Sequence, residues 1–195
     1  MNINNFEKIF NDINFNNDSI LGYNKTKFLY EEIIEIKKHL NTAEVGVYKG
    51  YTSKLIATIN SNNFHFCYDT FSGVVKYDEL IDKVVDGSFS SSIEEVKELI
   101  NLPNVIYKSG IFPETFQENN YKFSFVHSDT DTYFGAKATL DYFASVVVIG
   151  GKILFDDYKW ELCPGIEKAV QEFISINNSY DFKEFENQCV LTKIK

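Results

Sequence analysis

Arginine is absent from this sequence of 195 residues, in which all 19 basic residues are lysines. The guanidinium group binds phosphates and guanine edges through two parallel hydrogen bonds, and that mode of recognition is therefore excluded. The formal net charge is −9, and the resulting field repels the phosphate backbone of nucleic acids. We therefore expect no nucleic-acid partner.

Cysteine and long apolar runs are also scarce. The three cysteines are an odd number without CxxC spacing, which argues against a disulfide framework and a thiolate zinc site and for a reducing compartment. No stretch approaches the roughly 18 apolar residues of a membrane-spanning helix. The Asn-rich start has no basic region ahead of an apolar block, unlike a signal peptide. These absences predict a cytoplasmic protein with no membrane partner.

The composition, 44% hydrophobic and 24% charged residues, is that of a folded globular domain. Residues 1–40 differ from the rest because apolar side chains recur there at three- and four-residue steps, as at Phe28, Ile33 and Leu40. We predict one or two helices there. The predicted organisation is a helical N-terminal cover or lid at 1–40 and the main domain at 41–195.

From residue 43, strands and helices alternate. The predicted strands are 43–48, 64–69, 105–108, 123–127, 146–155, 181–185 and 189–194, and the predicted helices are 51–60, 91–100, 135–143 and 164–176. Ser91 and Glu94 have the spacing of a capping box at the second of these helices. The alternation predicts an α/β fold, a Rossmann-like, seven-stranded, mostly parallel sheet with an antiparallel C-terminal strand. Such sheets bind ligands beyond the carboxyl ends of their strands.

The turn after the first strand contains Gly46 and Gly50, four residues apart, which allow a tight turn and a close approach to a ligand. The pattern is neither the GxGxxG of dinucleotide folds nor a P-loop. Glu44, ahead of the glycines, would repel a pyrophosphate but suits the ammonium group of a bound amino acid. The alternative is a tight strand–helix turn without a ligand.

Acidic residues also follow three later strands. Asp69 ends the second strand, where a carboxylate can accept hydrogen bonds from a ribose diol; a surface acid is the alternative. Asp129, Asp156 and Asp157 follow the fourth and fifth strands, which we expect to be neighbours. Three carboxylates brought together repel one another unless a cation neutralises them, and oxygen ligands suit Mg²⁺, Ca²⁺ or Mn²⁺. The alternative is that these acids cap helices and face water.

Six blocks resemble the macrocin O-methyltransferase family in their order: EVGVYKGYTS, GSFSSSIEEV, SGIFPETF, VHSDTDTYFGAKATLDYF, GGKILFDDY and CPGIEKAVQEF. The resemblance covers roughly residues 20–175. More distantly, the sequence is similar to the catechol and caffeoyl-coenzyme A O-methyltransferases. The resemblance implies a class I methyltransferase domain that uses S-adenosylmethionine to methylate a sugar hydroxyl of macrolides or other small glycosides.

The resemblance also implies roles for individual residues. Those expected at the cofactor are Glu44, Gly46, Tyr48, Thr52, Ser53, Asp69 at the ribose, Thr70, Ser109 and Gly110 near the adenine, and Asp129. Mg²⁺ or Mn²⁺ is expected on Asp129, Asp156 and Asp157. The catalytic set is Asp131, Asp129 and His127, with Asp131 ranked ahead of His127 as the group that takes the proton.

The sequence thus predicts methyl transfer to a hydroxyl of a small polar acceptor, expected to be a sugar or glycoside. A bound metal would orient two vicinal hydroxyls and lower the pKa of the reacting one. Two alternatives stay open: a metal-independent methyltransferase of the same fold, and a non-catalytic subunit that binds the cofactor or a partner. The formation of a homo-oligomer is also left open.

Overall fold

The computed structural model describes residues 4–13, 21–75, 77–118 and 120–195. The strands in these residues are β1 (Asn41–Val45), β2 (His65–Asp69), β3 (Val105–Ser109), β4 (Phe123–Ser128), β5 (Val147–Phe155), β6 (Tyr180–Phe185) and β7 (Gln188–Lys193). The helices are α1 (Asn4–Asp12), α2 (Tyr23–Ile34), α3 (Tyr51–Ile59), α4 (Ile93–Ile100), α5 (Tyr133–Val146) and α6 (Pro164–Ile176). None of these helices is long and apolar enough to cross a membrane.

The strands form one sheet in the order β3-β2-β1-β4-β5-β7-β6. Every neighbouring pair is parallel except those that involve β7, which runs antiparallel to both β5 and β6. The predicted fold class is therefore confirmed. The chain leaves β1 toward β2 on one side and returns to β4 on the other, so the order reverses between β1 and β4. Ligands bind at such switch points in open α/β sheets.

Some predicted boundaries are wrong. β1 ends at Val45 rather than at residue 48, because Gly46 and Tyr48 have positive φ angles (84° and 50°) that no strand can accommodate. The cap of α4 is Ser92, whose Oγ accepts a hydrogen bond from Glu95 N, and not the predicted Ser91. α5 begins two residues before its predicted start, because the Thr132 side chain caps it. The hairpin between β6 and β7 has a two-residue loop, one residue shorter than predicted.

Both faces of the sheet are covered. On one face, α5 and α6 pack on the strands around Phe123, Phe143 and Ile166. On the other face, α1 and α2 lie with α3 over the sheet, and Phe28 and Leu29 share a buried cluster with residues of β4, β5 and β7. Residues 1–3 and 14–20 of the predicted cover lie outside the described residues. The predicted division at residue 40 stays a prediction.

Candidate active site

A cavity of about 710 Å³ lies beyond the carboxyl ends of β1, β2, β4 and β5, at the switch point of the sheet. Its volume is within the range of ligand sites, roughly 300–1,000 Å³. The predicted site residues that line it are Gly46, Tyr48, Thr52, Asp69, Thr70, Gly110, Asp129, Asp131, Asp156 and Asp157. Four others do not line it: Glu44, Ser53, Ser109 and His127.

Gly46 brings the loop after β1 against the end of β4. Its φ is +84°, and a Cβ atom at this position would lie 1.9 Å from the backbone oxygen of Asp129. The two segments are also joined by a hydrogen bond of 2.8 Å from Asp129 N to Val45 O. Only glycine allows both this conformation and this approach, so the loop and the first acid of the β4 end are fixed relative to each other.

Asp69 organises the loop after β1 through its carboxylate. Its Oδ2 accepts hydrogen bonds from Val47 N (2.6 Å) and Tyr48 N (2.9 Å), and its Oδ1 accepts one from Phe71 N (2.7 Å). A carboxylate has about four acceptor positions, so three of them are used within the protein. One acceptor position of the Asp69 carboxylate is therefore left for a ligand hydroxyl. The predicted binding of both hydroxyls of a ribose requires a second acceptor from a neighbouring group.

Behind the cavity wall, Glu44, Ser53 and His127 form a buried network. Glu44 Oε1 lies 2.7 Å from His127 Nδ1, and Glu44 Oε2 accepts a hydrogen bond from Ser53 Oγ. Burial raises the pKa of Glu44, although its contacts with His127 and Ser53 oppose the rise. His127 is fully buried, and its Nε2 has no hydrogen-bond partner among the described residues. A direct contact of these side chains with a ligand stays a prediction.

Four acidic side chains meet at the ends of β4 and β5. Asp129, Asp156 and Asp157 each place a carboxylate oxygen within 4.8 Å of the others, as the sequence predicted. Burial, and then the charge of Asp156, raises the pKa of Asp129. Asp131 lies beside them, and burial followed by the charge of Asp157 raises its pKa to about 8. The cluster therefore holds excess negative charge in a poorly hydrated place.

Backbone strain is concentrated around the same cavity. Eight non-glycine residues in the described part of the chain have positive φ angles, and four of these line the cavity: Tyr48, Phe89, Asp131 and Asp157. Such conformations cost about 1–3 kcal/mol each and persist only where the surrounding structure enforces them. Half of the residues in this conformation thus line one cavity, as is typical of a functional site.

Lys25 is a site residue that the sequence did not reveal. Its Nζ lies 2.9 Å from Asp156 Oδ1 and donates a hydrogen bond of 3.2 Å to Asp157 Oδ1. Burial acts to lower the pKa of Lys25, but the two carboxylates outweigh this effect and leave the pKa raised. Lys25 is on α2, more than 100 residues from either acid in the chain, and no local pattern distinguishes it from the other lysines.

The acidic cluster fits a hard divalent cation. Its donors are all carboxylate oxygens, the ligands that Mg²⁺ and Mn²⁺ prefer. Asp156 is 5% exposed, and its Oδ1, although close to Lys25, makes no aligned hydrogen bond among the described residues. This buried carboxylate oxygen carries charge that a cation can balance, and in this structure Lys25 balances it. Asp131, Asp157 and Cys163 form a second group of three, but its thiol suits softer metals.

Comparison with known proteins shows the fold. No family model and no curated protein matches the sequence. The O-methyltransferase NovP is similar in structure, with a TM-score of 0.72 and 18% identity over 88% of this chain and 79% of that one. The calicheamicin methyltransferase CalS11 has a TM-score of 0.69 and 15% identity, over 98% of this chain and 94% of that one. A protein assigned as a caffeoyl-CoA O-methyltransferase from Staphylococcus aureus has a TM-score of 0.68 and 13% identity, over 97% of this chain and 92% of that one. The chain therefore has the Rossmann-like fold of methyltransferases.

Proposed function

We propose that the protein is an O-methyltransferase that uses S-adenosylmethionine, of the macrocin O-methyltransferase type, with a small sugar or glycoside as its acceptor. The observation that carries the proposal is the meeting of the Gly46 loop, Asp69 and the acidic cluster around one cavity. The fold shared with O-methyltransferases supports it. One of them, CalS11, is described as a TDP-rhamnose 3′-O-methyltransferase.

The cofactor would bind at the β1–β2 end of the cavity. Asp69 and Thr70 would contact the ribose and adenine side, with Gly110 near the adenine. Gly50 precedes α3 and provides no side-chain cap, so the positive end of the dipole of this helix would lie beside the carboxylate of the methionine part. S-adenosylmethionine supplies a methyl group on an already activated sulfonium. The task of the protein is therefore to align the acceptor oxygen with that methyl group and to remove a proton.

The acceptor would bind at the β4–β5 end. Asp129, Asp156 and Asp157 would hold Mg²⁺ or Mn²⁺, which supplies polarisation of the acceptor hydroxyl. Asp131 would take the proton, because it lines the cavity beside the three acids that would hold the metal and so lies close to the acceptor hydroxyl. His127 ranks second, since its ring is fully buried and bonded to Glu44.

The charge of the cavity wall favours an acceptor without phosphate. Six aspartates line the cavity against three lysines. Two of these lysines are paired with acids, Lys25 with Asp156 and Lys137 with Asp141. The half-exposed ring of Trp160 is suited to stack on a sugar ring. A neutral glycoside with vicinal hydroxyls fits this wall better than a sugar nucleotide does.

The proposal extends to the organisation of the chain. Residues 1–40 would act as the cover and residues 41–195 as the catalytic unit, in the cytoplasm. Lys25 supports the assignment of a cover, because it connects α2 to the acidic cluster. The expected partner is the small-molecule acceptor, and a homo-oligomer stays an open prediction.

Calorimetric titration with S-adenosylmethionine, followed by a methyl-transfer assay on neutral methyl glycosides with and without EDTA, tests the proposal. Binding and metal-dependent transfer are expected. Transfer in excess EDTA would favour the metal-independent enzyme, and binding without transfer to any glycoside would favour the non-catalytic subunit. NAD and NADP are the controls. A rise in melting temperature with either of them, and not with S-adenosylmethionine, would contradict the methyltransferase assignment.

A further inference from the structure

We propose that Lys25 is a tethered counter-ion of the acidic cluster, and that its ammonium group and a divalent cation compete for the carboxylates of Asp156 and Asp157. The inference rests on the metal-binding part of the proposed function. It assigns to the N-terminal cover a direct effect on the metal affinity of the site.

Lys25 and a metal ion on this cluster would be close neighbours. Lys25 Nζ already lies 2.9 Å and 3.2 Å from one oxygen of each carboxylate. Mg²⁺ binds oxygens at roughly 2.0–2.1 Å, so a metal on the same two oxygens would lie next to the ammonium group. Like charges at such a separation repel strongly in a site this poorly hydrated. Binding of the metal therefore requires Lys25 to turn away.

Only the side chain has to move. α2 is held by contacts that do not involve Lys25: the Phe28 ring stacks on Phe185 with centroids 4.6 Å apart, and Leu29 is fully buried. The Lys25 side chain is 17% exposed, and the four torsions of a lysine side chain give it several staggered rotamers. We expect the metal to displace the ammonium group from the cluster while the helix stays in place.

The primary test is Mn²⁺ binding to the full chain, measured by electron paramagnetic resonance, for the wild type and Lys25→Met. Lys27→Met, on the same helix and two residues further on, is the matched control, since Lys27 forms no ion pair with Asp156 or Asp157. Lys25→Met is expected to bind Mn²⁺ at least tenfold more tightly than the wild type. The Mn²⁺ affinity of Lys27→Met should differ from that of the wild type by less than twofold. Equal or weaker binding by Lys25→Met would overturn the proposal.

A second variant guards against loss of folding. Lys25→Gln keeps a hydrogen-bond donor without the charge, and its Mn²⁺ affinity should also rise. In EDTA both variants should melt below the wild type, because the carboxylates have lost their counter-ion. Mn²⁺ should raise their melting temperatures more than that of the wild type. An equal rise in all three proteins would contradict the proposed competition.

Trp160 provides a third, independent measurement. It is the only tryptophan in the sequence, and its ring centroid lies 5.8 Å from Lys25 Nζ. Addition of Mg²⁺ should change the tryptophan fluorescence of the wild type, because Lys25 leaves the ring, and should change that of Lys25→Met by less than half as much. Changes of the same size would count against displacement. Binding of S-adenosylmethionine, measured in parallel, separates failure of this inference from failure of the methyltransferase proposal.

Discussion

The two ends of the cavity differ in how their carboxylates are compensated. At the β1–β2 end, Asp69 receives three hydrogen bonds from backbone N–H groups within the adjoining loops. At the β4–β5 end, four aspartates come together, and Lys25, which contacts two of them, Asp156 and Asp157, is on a helix from the other end of the chain. The carboxylate at one end is compensated by its own backbone, and those at the other end by a lysine on a distant element.

This difference indicates how the two ends respond to ligands. The β1–β2 end has its geometry before a ligand arrives, because the acceptor and the donors belong to neighbouring turns. At the β4–β5 end, burial and the charges of neighbouring acids raise the pKa values of Asp129, Asp131 and Asp156, so we expect this end to respond to the cation that binds there. The proposed cofactor end and the proposed acceptor end are therefore expected to fail independently.

Removal of the metal should give the largest effect and should separate the two ends. EDTA is expected to abolish turnover, and Mg²⁺ or Mn²⁺ to restore it, while calorimetry shows the affinity for S-adenosylmethionine unchanged within twofold. Asp156→Asn should weaken the metal more than the cofactor, because an amide keeps the oxygen ligand but loses the charge. Asp141→Asn is the control, because Asp141 lies at the cavity wall but pairs with Lys137; the metal affinity of this variant should equal that of the wild type. Full turnover in excess EDTA would contradict a role of the metal in the reaction.

Gly46→Ala should damage the contact that joins the two ends. The new Cβ would lie 1.9 Å from the backbone oxygen of Asp129, at a φ of +84°. The conformational cost of about 1–2 kcal/mol and the overpacking cost of about 1–3 kcal/mol predict a loss of roughly 2–5 kcal/mol in unfolding free energy. Denaturant unfolding measures it.

Gly150→Ala is the matched control for this change. Gly150 has a similar φ of +80°, but a Cβ there meets nothing within 4 Å. Only the conformational cost remains, about 1–2 kcal/mol. An equal loss for both variants would show that the approach of Gly46 to the β4 end is looser than the structure indicates.

Much of the fold was predictable because its signals are local. The position of Pro164 at the first turn located α6 at its observed bounds. The end of β1 was predicted wrongly, since Val47 extends the apolar run although Gly46 has already turned the chain. Ser91 was mistaken for the cap of α4; its hydroxyl instead donates to the backbone oxygen of Tyr48, a long-range contact that spacing cannot reveal.

The candidate site was predictable only in part. Asp129 and Asp156 could be placed together because the carboxyl ends of neighbouring parallel strands meet at one edge. The burial of the Glu44 and His127 side chains behind the cavity wall could not be predicted, because successive residues of a strand point to opposite faces of the sheet. Lys25 could not be predicted either, since its role depends on how α2 packs on the sheet. Long-range packing decides what the local sequence leaves open.

Asp69→Ala should disturb the preorganised end alone. Three N–H groups lose their acceptor, and a ligand hydroxyl loses its partner, so the affinity for S-adenosylmethionine is expected to fall by about 1.5–3 kcal/mol, the range for hydrogen bonds to a charged group. The melting temperature of the ligand-free protein should also fall. Asp69→Asn keeps one acceptor oxygen, and its affinity for S-adenosylmethionine should lie between those of the wild type and Asp69→Ala. Unchanged affinity in calorimetry would reduce Asp69 to an acid at a strand end, and loss of Mn²⁺ binding would contradict the independence of the two ends.

The smallest expected effect is at the opposite end of β2, away from the cavity. His65 is fully buried there, its Nδ1 is 2.9 Å from Thr42 Oγ1, and burial, followed by the charge of His127, lowers its pKa from 6.5 to about 3. The unfolded chain takes up this proton below about pH 6.5, whereas the folded protein does not. The contribution of His65 to stability is therefore complete above pH 6.5 and is lost progressively as the pH falls toward 3.

Between pH 6.5 and pH 5 this linkage corresponds to about 2 kcal/mol, at roughly 1.36 kcal/mol for each pH unit. Urea unfolding of the wild type and His65→Gln at both pH values measures it. The difference in unfolding free energy between the two proteins should shift by this amount in favour of the variant at pH 5. The exposed His39 provides the control, because His39→Gln should show no such shift. A constant difference between the wild type and His65→Gln would mean that the ring of His65 is already hydrated, and that β2 is open at its amino end.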